Sequence, residues 1–301
     1  MKPTRSNAVI LMILAAFLWS TAGVVTRQLE SARSFEVTFW RGFFTVLSLL
    51  IMLPMLRGRA VVQQVFKQMR SGGSSGRALW LSGLCWNVMF TAYMVALTMT
   101  TVANVLVTLA LGPLFTALVA RAFTGHRIAG YTWWAIGLAG VGIAWMFGGQ
   151  ADLGAQWAGT LVALMVPIAA ACNWTLVQHN QTQGRNIDLV PAVLVGALIS
   201  SLTMLPLAWP FAATTHDIAL LALLGLVQLA IPCVLSVWCA SVLKAPEMAL
   251  LAMLEVVFGT VMAWAFVGGS ETPSSSVFSG GALVITALLV NEWMGWSRVR
   301  P

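Results

Sequence analysis

Ten apolar runs dominate this chain, each close to the ~20 residues that a helix needs to cross ~30 Å of bilayer hydrocarbon. They cover Ala8–Thr26, Phe35–Met55, Ala78–Thr98, Thr101–Phe123, Tyr131–Phe147, Trp157–Gln178, Leu189–Trp209, Ala219–Ala240, Glu247–Val267 and Phe278–Trp296. Barrel strands would be about 10 residues long with alternating polarity, so these runs are too long and too continuous for a barrel. The expected fold class is therefore an all-α membrane protein with ten transmembrane helices. Ten spans of about 20 residues leave only connectors, so any function must sit within or across the bilayer. Lys2 and Arg5 precede the first run and Phe35 begins the second soon after, which predicts a retained first helix rather than a cleaved signal peptide.

Composition agrees. The 301 residues are 59% hydrophobic and 8% charged, where a soluble domain has roughly 45–50% apolar and about 25% charged residues. That gap excludes a soluble globular enzyme, a disordered chain and a nucleic-acid binder. The net charge is +7, but the basic residues are scattered through short loops and form no stripe that could follow a phosphate backbone. The four cysteines (Cys85, Cys172, Cys233, Cys239) lie in apolar runs without metal-type spacing, which predicts buried free thiols.

The basic residues instead set orientation. Lys2 and Arg5, the loop with Arg57, Arg59, Lys67, Arg70 and Arg77, then Arg121 and Arg127, Arg185, Lys244, and finally Arg298 and Arg300 all fall on one side of a ten-span arrangement. The other side has only Arg27 and Arg33, near Glu30 and Glu36. The positive-inside rule puts both termini in the cytoplasm of a bacterial-type plasma (inner) membrane. The segment Ser71–Gly76 is a flexible linker in the longest cytoplasmic loop.

The chain also repeats. Leu111–Ala144 aligns without gaps on Leu254–Ala287, matching Leu111 with Leu254, Phe115 with Phe258, Gly125 with Gly268 and Gly137 with Gly280. The match joins spans four and five to spans nine and ten, so residues 1–150 and 151–301 form two five-span halves. Because five is odd, the second half enters the membrane from the opposite side. Inverted repeats of this kind mark secondary transporters, whose halves exchange conformations around a midplane site.

The segments A-A-F-L-W-S-T (Ala15–Thr21), A-L-T-M-T-T-V-A (Ala96–Ala103), L-G-P-L-F-T-A-L-V-A (Leu111–Ala120) and L-E-V-V-F-G-T-V-M-A (Leu254–Ala263) resemble EamA domains of the drug/metabolite transporter superfamily, one domain per half. Within it the chain is most similar to the aromatic amino-acid exporters of the YddG type. The resemblance implies ten helices around a central cavity built mainly from spans one, three, four, six, eight and nine. The chain departs from the family where L-E-P is common, carrying Gly112-Pro113 in one half and Glu255-Val256 in the other, and it has His126 at a place where a Glu is common. These departures weigh against a mechanism that needs paired carboxylates.

Polar residues at membrane depth are costly unless paired or hydrated, so they are the candidate functional residues. Glu255 is the one carboxylate well inside a span. Burial would raise its pKa towards neutrality, which fits a proton-coupling or amine-binding site; the alternative is a protonated Glu bonded to a neighbouring helix. Asn87, Asn104, Thr108, Asn173 and Gln228 offer donors and acceptors that suit a zwitterion, or else bond helix to helix. Of 14 Trp, eight (Trp40, Trp80, Trp133, Trp134, Trp157, Trp209, Trp293, Trp296) lie near span ends and fit interfacial belts. Trp19, Trp86, Trp174 and Trp238 lie deeper and, with Tyr93, could stack on a flat or cationic ligand or simply pack. Pro113 and Pro232 interrupt spans four and eight as candidate hinges, although membrane helices also tolerate proline without one.

Arg41 and Lys244 are read as near span ends, leaving no cation at mid-depth for a phosphate. No Walker A motif, metal-ligand cluster or catalytic triad is present. The expectation is a non-enzymatic secondary transporter that exports small amphipathic metabolites, foremost aromatic amino acids, by alternating access. It would act as a monomer in the bilayer, without cofactor or metal. Protons are a candidate coupling partner, with facilitated diffusion as the rival. A multidrug or quaternary-ammonium exporter is the alternative cargo class, and a membrane-embedded enzyme or a channel fits least.

Overall fold

In a bilayer every backbone polar group must be satisfied within the protein, so apolar runs of this length become helices. The computed structural model describes residues 4–32, 34–58, 60–100, 102–125, 129–147, 157–184, 187–267 and 275–297, and no strand occurs among them. The helices are α1 (Arg5–Thr26), α2 (Ser34–Arg57), α3 (Ala60–Arg70), α4 (Ser74–Met99), α5 (Val102–Leu109), α6 (Gly112–Thr124) and α7 (Gly130–Phe147). They continue as α8 (Trp157–Thr182), α9 (Val190–Ala208), α10 (Thr215–Leu223), α11 (Ile231–Cys239), α12 (Ala245–Ala252), α13 (Leu254–Val267) and α14 (Ser275–Ser297). Lys2, Arg33, Arg59, His126, Arg127, Arg185, Arg298 and Arg300 lie outside the described residues.

Among the described residues, six helical stretches are long and apolar enough to cross a membrane: α1, 35–57 of α2, 74–96 of α4, α8, α9, and 215–239 through α10 and α11. The other four expected spans fall on α5 with α6, on α7, on α12 with α13, and on α14. Large apolar side chains point outward, with Trp134 83% and Met55 80% exposed, as lipid rather than water would allow.

Three spans are interrupted, two of them for a visible reason. Pro113 has no N–H to give the carbonyl of Leu109, and its ring crowds that carbonyl. The helix stops at Leu109 and restarts at Gly112 with Pro113 in its first turn, where a missing N–H costs nothing. Pro232 likewise cannot bond to the Gln228 carbonyl. Here the chain widens into a π-helical turn over Leu224–Ala230, with the Ile231 N–H reaching the Leu226 carbonyl, and Pro232 again falls in the first turn of the next helix. The third interruption, at Met253 between α12 and α13, has no proline at the equivalent place.

The α4–α9 crossing is tight: a Cβ on Gly196 would collide with the Trp86 Cβ and lie 2.8 Å from the Gly83 carbonyl oxygen. The π turn presses on α2, where a Cβ on Gly225 would lie 2.6 Å from the Phe44 Cβ. The Thr45 hydroxyl ties the two together by donating to the Arg41 carbonyl at 2.7 Å and the Gly225 carbonyl at 3.1 Å. Elsewhere α1 packs on α11 and α13, α8 on α4 and α6, α2 on α9, and α7 on α14.

Two buried carboxylates lace the connectors at one end of the bundle. Asp217 accepts backbone N–H groups from Glu30, Ser31 and Ala32. Glu36 accepts those of Ala212 and Ala213, together with the indole N–H of Trp40. At the opposite end Arg5 pairs with Glu247 at 3.3 Å, and Arg57 pairs with Asp188. All four cysteines are free. Only Cys233 and Cys239 are buried; Cys172 is exposed, which corrects the expectation of four buried thiols, because its face of α8 lies on the outside of the bundle.

Candidate functional site

The interruptions at Ala110–Leu111 and Met253 bring four helix ends to one place. A small cavity of about 100 Å³ opens there. The end of α5 supplies Leu109 and Ala110, and the start of α6 supplies Gly112, Pro113 and Thr116. The end of α12 supplies Ala249 and Ala252, and the start of α13 supplies Glu255 and Val256. Tyr93 of α4 and Trp174 of α8 close the sides.

The starts of α6 and α13 carry unpaired backbone N–H groups and the positive ends of helix dipoles. No side chain caps α6 at Leu111. Glu255, in the first turn of α13, complements the dipole of its own helix and also presents a carboxylate to the cavity. Thr116 turns its hydroxyl back to the Gly112 carbonyl at 2.8 Å.

The aromatic wall is braced from behind. Trp86 meets Trp174 edge to face at 5.7 Å and 86°, and Phe90 lies 5.5 Å from Trp86. Next to it, the Ser82 hydroxyl donates to Asn173 Oδ1 at 2.6 Å across the α4–α8 contact. The Trp86 indole nitrogen and Asn173 Nδ2 are enclosed without a partner. Such groups cost about 1–3 kcal/mol each and call for an explanation in the site they border.

Of the residues singled out in the sequence, Tyr93, Trp174, Glu255 and Pro113 share this cavity. Trp86 backs it through Trp174. Asn173 serves the α4–α8 contact, and Asn87 accepts from the Thr91 hydroxyl on its own helix at 3.3 Å. Gln228 donates to the Trp19 carbonyl at 3.5 Å while its Oε1 has no partner, so these two meet at the face between α1 and the π turn. Trp19 and Trp238 pack against the main core, Thr108 is buried in α5, and Pro232 heads α11. The side chain of Asn104 lies outside the described residues.

Arg41 lies near the start of α2 and is buried. Its place seven residues into α2 suggests a span end, yet it is only 3% exposed. The α2–π-turn contact holds its backbone close to Gly225, a tertiary packing invisible in a hydropathy pattern.

An all-helical bundle with an apolar exterior and six stretches long and apolar enough to cross a bilayer defines an integral membrane protein. Residues 6–148 match the EamA-like transporter family, which supports a place in the drug/metabolite transporter superfamily and indicates a membrane transporter. No curated protein matches the chain. One protein known from a crystal structure is similar in fold, with a TM-score of 0.74 and 17% identity over 97% of this chain and 99% of that one.

Proposed function

We propose that the chain is a secondary transporter exporting small amphipathic metabolites, aromatic amino acids (Phe, Tyr, Trp) foremost, by alternating access. The observation that carries this reading is the cavity where α5–α6 and α12–α13 break, walled by Trp174 and Tyr93 with Glu255 at its edge. A flat apolar side chain suits the aromatic wall, and an ammonium suits the carboxylate. The branch of exporters of the YddG type has this substrate class.

Alternating access calls for two inverted five-span halves, 1–150 and 151–301. Two observations support them. The interruptions at Leu111 and Met253 fall within one residue of each other when Leu111 is aligned with Leu254. The packing also survives exchange of the halves: α1 on α11 and α13 answers α8 on α4 and α6, and α4 on α9 answers the π turn on α2. The contacts α2–α9 and α7–α14 map onto themselves. In this arrangement both termini are cytoplasmic in a bacterial-type inner membrane, and one chain contains a complete cavity, as a monomer requires.

Glu255 is the candidate proton carrier. Facilitated exchange is the rival, and the absence of a carboxylate at Gly112 favours it. A quaternary-ammonium cargo is the second reading, because a carboxylate beside aromatic faces also suits a lipophilic cation.

Proteoliposome flux of labelled phenylalanine, threonine and a quaternary ammonium dye, with and without a pH gradient, tests these readings together. Phenylalanine flux above threonine flux is expected; flux of the dye alone would refute the amino-acid reading. If coupling runs through Glu255, Glu255→Gln abolishes gradient-driven accumulation and keeps exchange. Wild-type flux that ignores the gradient, with the variant unchanged, assigns Glu255 to the start of α13.

A further inference from the structure

One helix of the bundle neither spans the bilayer nor lines the cavity. α3 has 11 residues, where a span needs about 20. Gly58 ends α2 with φ +83° and its N–H on the Pro54 carbonyl at 2.8 Å, so the chain turns aside before α3 begins. α3 then packs on α2 and α4. Val61, Val65 and Met69, spaced by four, form the stripe that meets the core. At about 100° per residue, Phe66 falls on one flank of that stripe and Gln64 on the other. Lys67 and Arg70 lie between those two flanks, on the side away from the bundle. All four are exposed, Phe66 by 62%.

The last turn of α3 is fastened to the start of α4. The Trp80 indole N–H donates to the Met69 carbonyl at 3.1 Å, and the Gln68 amide donates to the Ser75 carbonyl at 3.3 Å. Trp80 stays partly exposed, as a residue at the headgroup level does. Arg77, also exposed, lies one turn before it on the same face of α4. Charge here is one-sided. Residues 57–77 hold five Lys or Arg, and no Asp or Glu occurs from Val37 to Ala151. Asp188 of the other half pairs with Arg57. Lys67, Arg70 and Arg77 have no ion pair among the described residues.

We propose that α3 lies in the plane of the membrane surface and, with the start of α4, forms a docking surface for acidic phospholipids. Phe66 and Trp80 meet the acyl boundary, Lys67, Arg70 and Arg77 meet the phosphates, and Gln64 faces water. A short helix with a bare aromatic ring beside a row of cations has the make-up of an interfacial helix, and basic clusters next to a span attract acidic headgroups. A zwitterionic headgroup brings its own ammonium towards the cations and is held less well. The docking surface requires only that the chain be an integral membrane protein, and it holds for any cargo.

The test uses the full-length protein. In a mild detergent it is titrated with short-chain phosphatidylglycerol or phosphatidylcholine, and bound lipid is counted by native mass spectrometry. Each basic residue at an acidic surface is worth about fivefold in affinity. Wild type should hold phosphatidylglycerol at least about tenfold more tightly than phosphatidylcholine. Arg70→Gln should weaken phosphatidylglycerol about fivefold, and Lys67→Gln, Arg70→Gln and Arg77→Gln together about a hundredfold. Arg121→Gln removes the same charge from an exposed residue at the end of α6, and should change binding less than about twofold. Glycerophosphate, which has the anion and no acyl chain, should not compete. In nanodiscs, Gln64→Cys should label with a membrane-impermeant maleimide while Phe66→Cys resists it.

Equal retention of the two lipids by wild type overturns the docking surface. So does an equal loss in Arg70→Gln and Arg121→Gln, which would mean diffuse charge on that side and no site at α3. Competition by glycerophosphate would assign the cations to a soluble phosphate and overturn the lipid. Labelling of Phe66→Cys as fast as Gln64→Cys would put α3 in water. Should the triple variant not fold, Arg70→Gln against Arg121→Gln and the two labelling rates decide.

Discussion

Replacing Asp217 with Asn perturbs one atom in a fully enclosed carboxylate, and its cost can be worked out bond by bond. Oδ1 accepts the Glu30 N–H at 2.8 Å; Oδ2 accepts those of Ser31 at 3.0 Å, Ala32 at 3.1 Å and Thr214 at 3.2 Å. An amide can keep one oxygen on the three-donor side, but its NH₂ then faces the Glu30 N–H, and a buried donor is left unpaired at about 1–3 kcal/mol. The three surviving bonds lose the help of a full negative charge, which roughly doubles the strength of such contacts. The sum is about 3 kcal/mol or more. At about 2 °C per kcal/mol for a chain of this size, thermal melting in detergent should fall by about 6 °C. Thr214→Ala, which removes the hydroxyl that caps the Asp217 N–H at 3.1 Å, should cost only about 1 kcal/mol. Because Asp217 holds the α1–α2 connector while Glu36 holds the α9–α10 connector, Asp217→Asn should also raise the labelling rate of a cysteine placed at Ser31. Melting within 1 °C of wild type (under about 0.5 kcal/mol by the same conversion), with labelling unchanged, would refute the reasoning that these carboxylates clamp that end of the bundle.

Four further outcomes are expected. Gly142→Ala should destabilise by about 1–3 kcal/mol, since its Cβ would lie 2.7 Å from the Gly280 carbonyl oxygen in the α7–α14 contact; Gly137→Ala, with nothing within 4 Å, should be neutral or stabilising, as paired melting curves would report. Trp174→Ala should weaken aromatic cargo about two- to tenfold in flux or binding assays, the worth of one stacking contact, and affect aliphatic cargo less. Gly112→Glu, whose Cβ would meet only the Pro167 Cβ at 3.7 Å, should fold and shift preference from phenylalanine towards phenethylamine, because it adds a second carboxylate to the cavity. Cysteines at Ser74 and His216, both exposed, should label from opposite sides of the membrane; labelling from one side would overturn the ten-span arrangement.

The helical runs were legible in the sequence; direction around each helix was not. A hydropathy run gives the rank of a residue along its span, and on that basis Trp86, Asn87, Asn173 and Trp174 were all expected at the cavity. Successive residues on a helix point about 100° apart, so Asn173 and Trp174 cannot both face the same space. Trp174 reaches the wall, while Asn173 turns to Ser82 on α4. The same geometry sends Trp86 onto Trp174 and leaves Asn87 on the α9 side. Arg41 was placed by rank near a span end; its burial comes from contacts of α2 with other helices, which no local pattern marks. Proline marked two of the three interruptions; the third lacks one, so only the alignment of Leu111 with Leu254 hinted at it.

That third interruption also bears on how the two halves divide the work. In the first half the restart of the helix is carried by Gly112-Pro113, a pair that bends the chain and contributes no charge. In the second half the equivalent pair is Glu255-Val256, which bends without proline and places the carboxylate in the first turn of α13. A symmetric scaffold with an acid in each half would present two like charges across one cavity and would favour a doubly charged cation. With one acid, the described lining of the cavity carries a single carboxylate, on the side of α13. On the amino-acid reading proposed above, the ligand would lie in one orientation, its ammonium at Glu255 and its side chain towards Trp174. If the halves are the inverted repeat proposed above, their divergence at Gly112 and Glu255 would fit them to an asymmetric molecule.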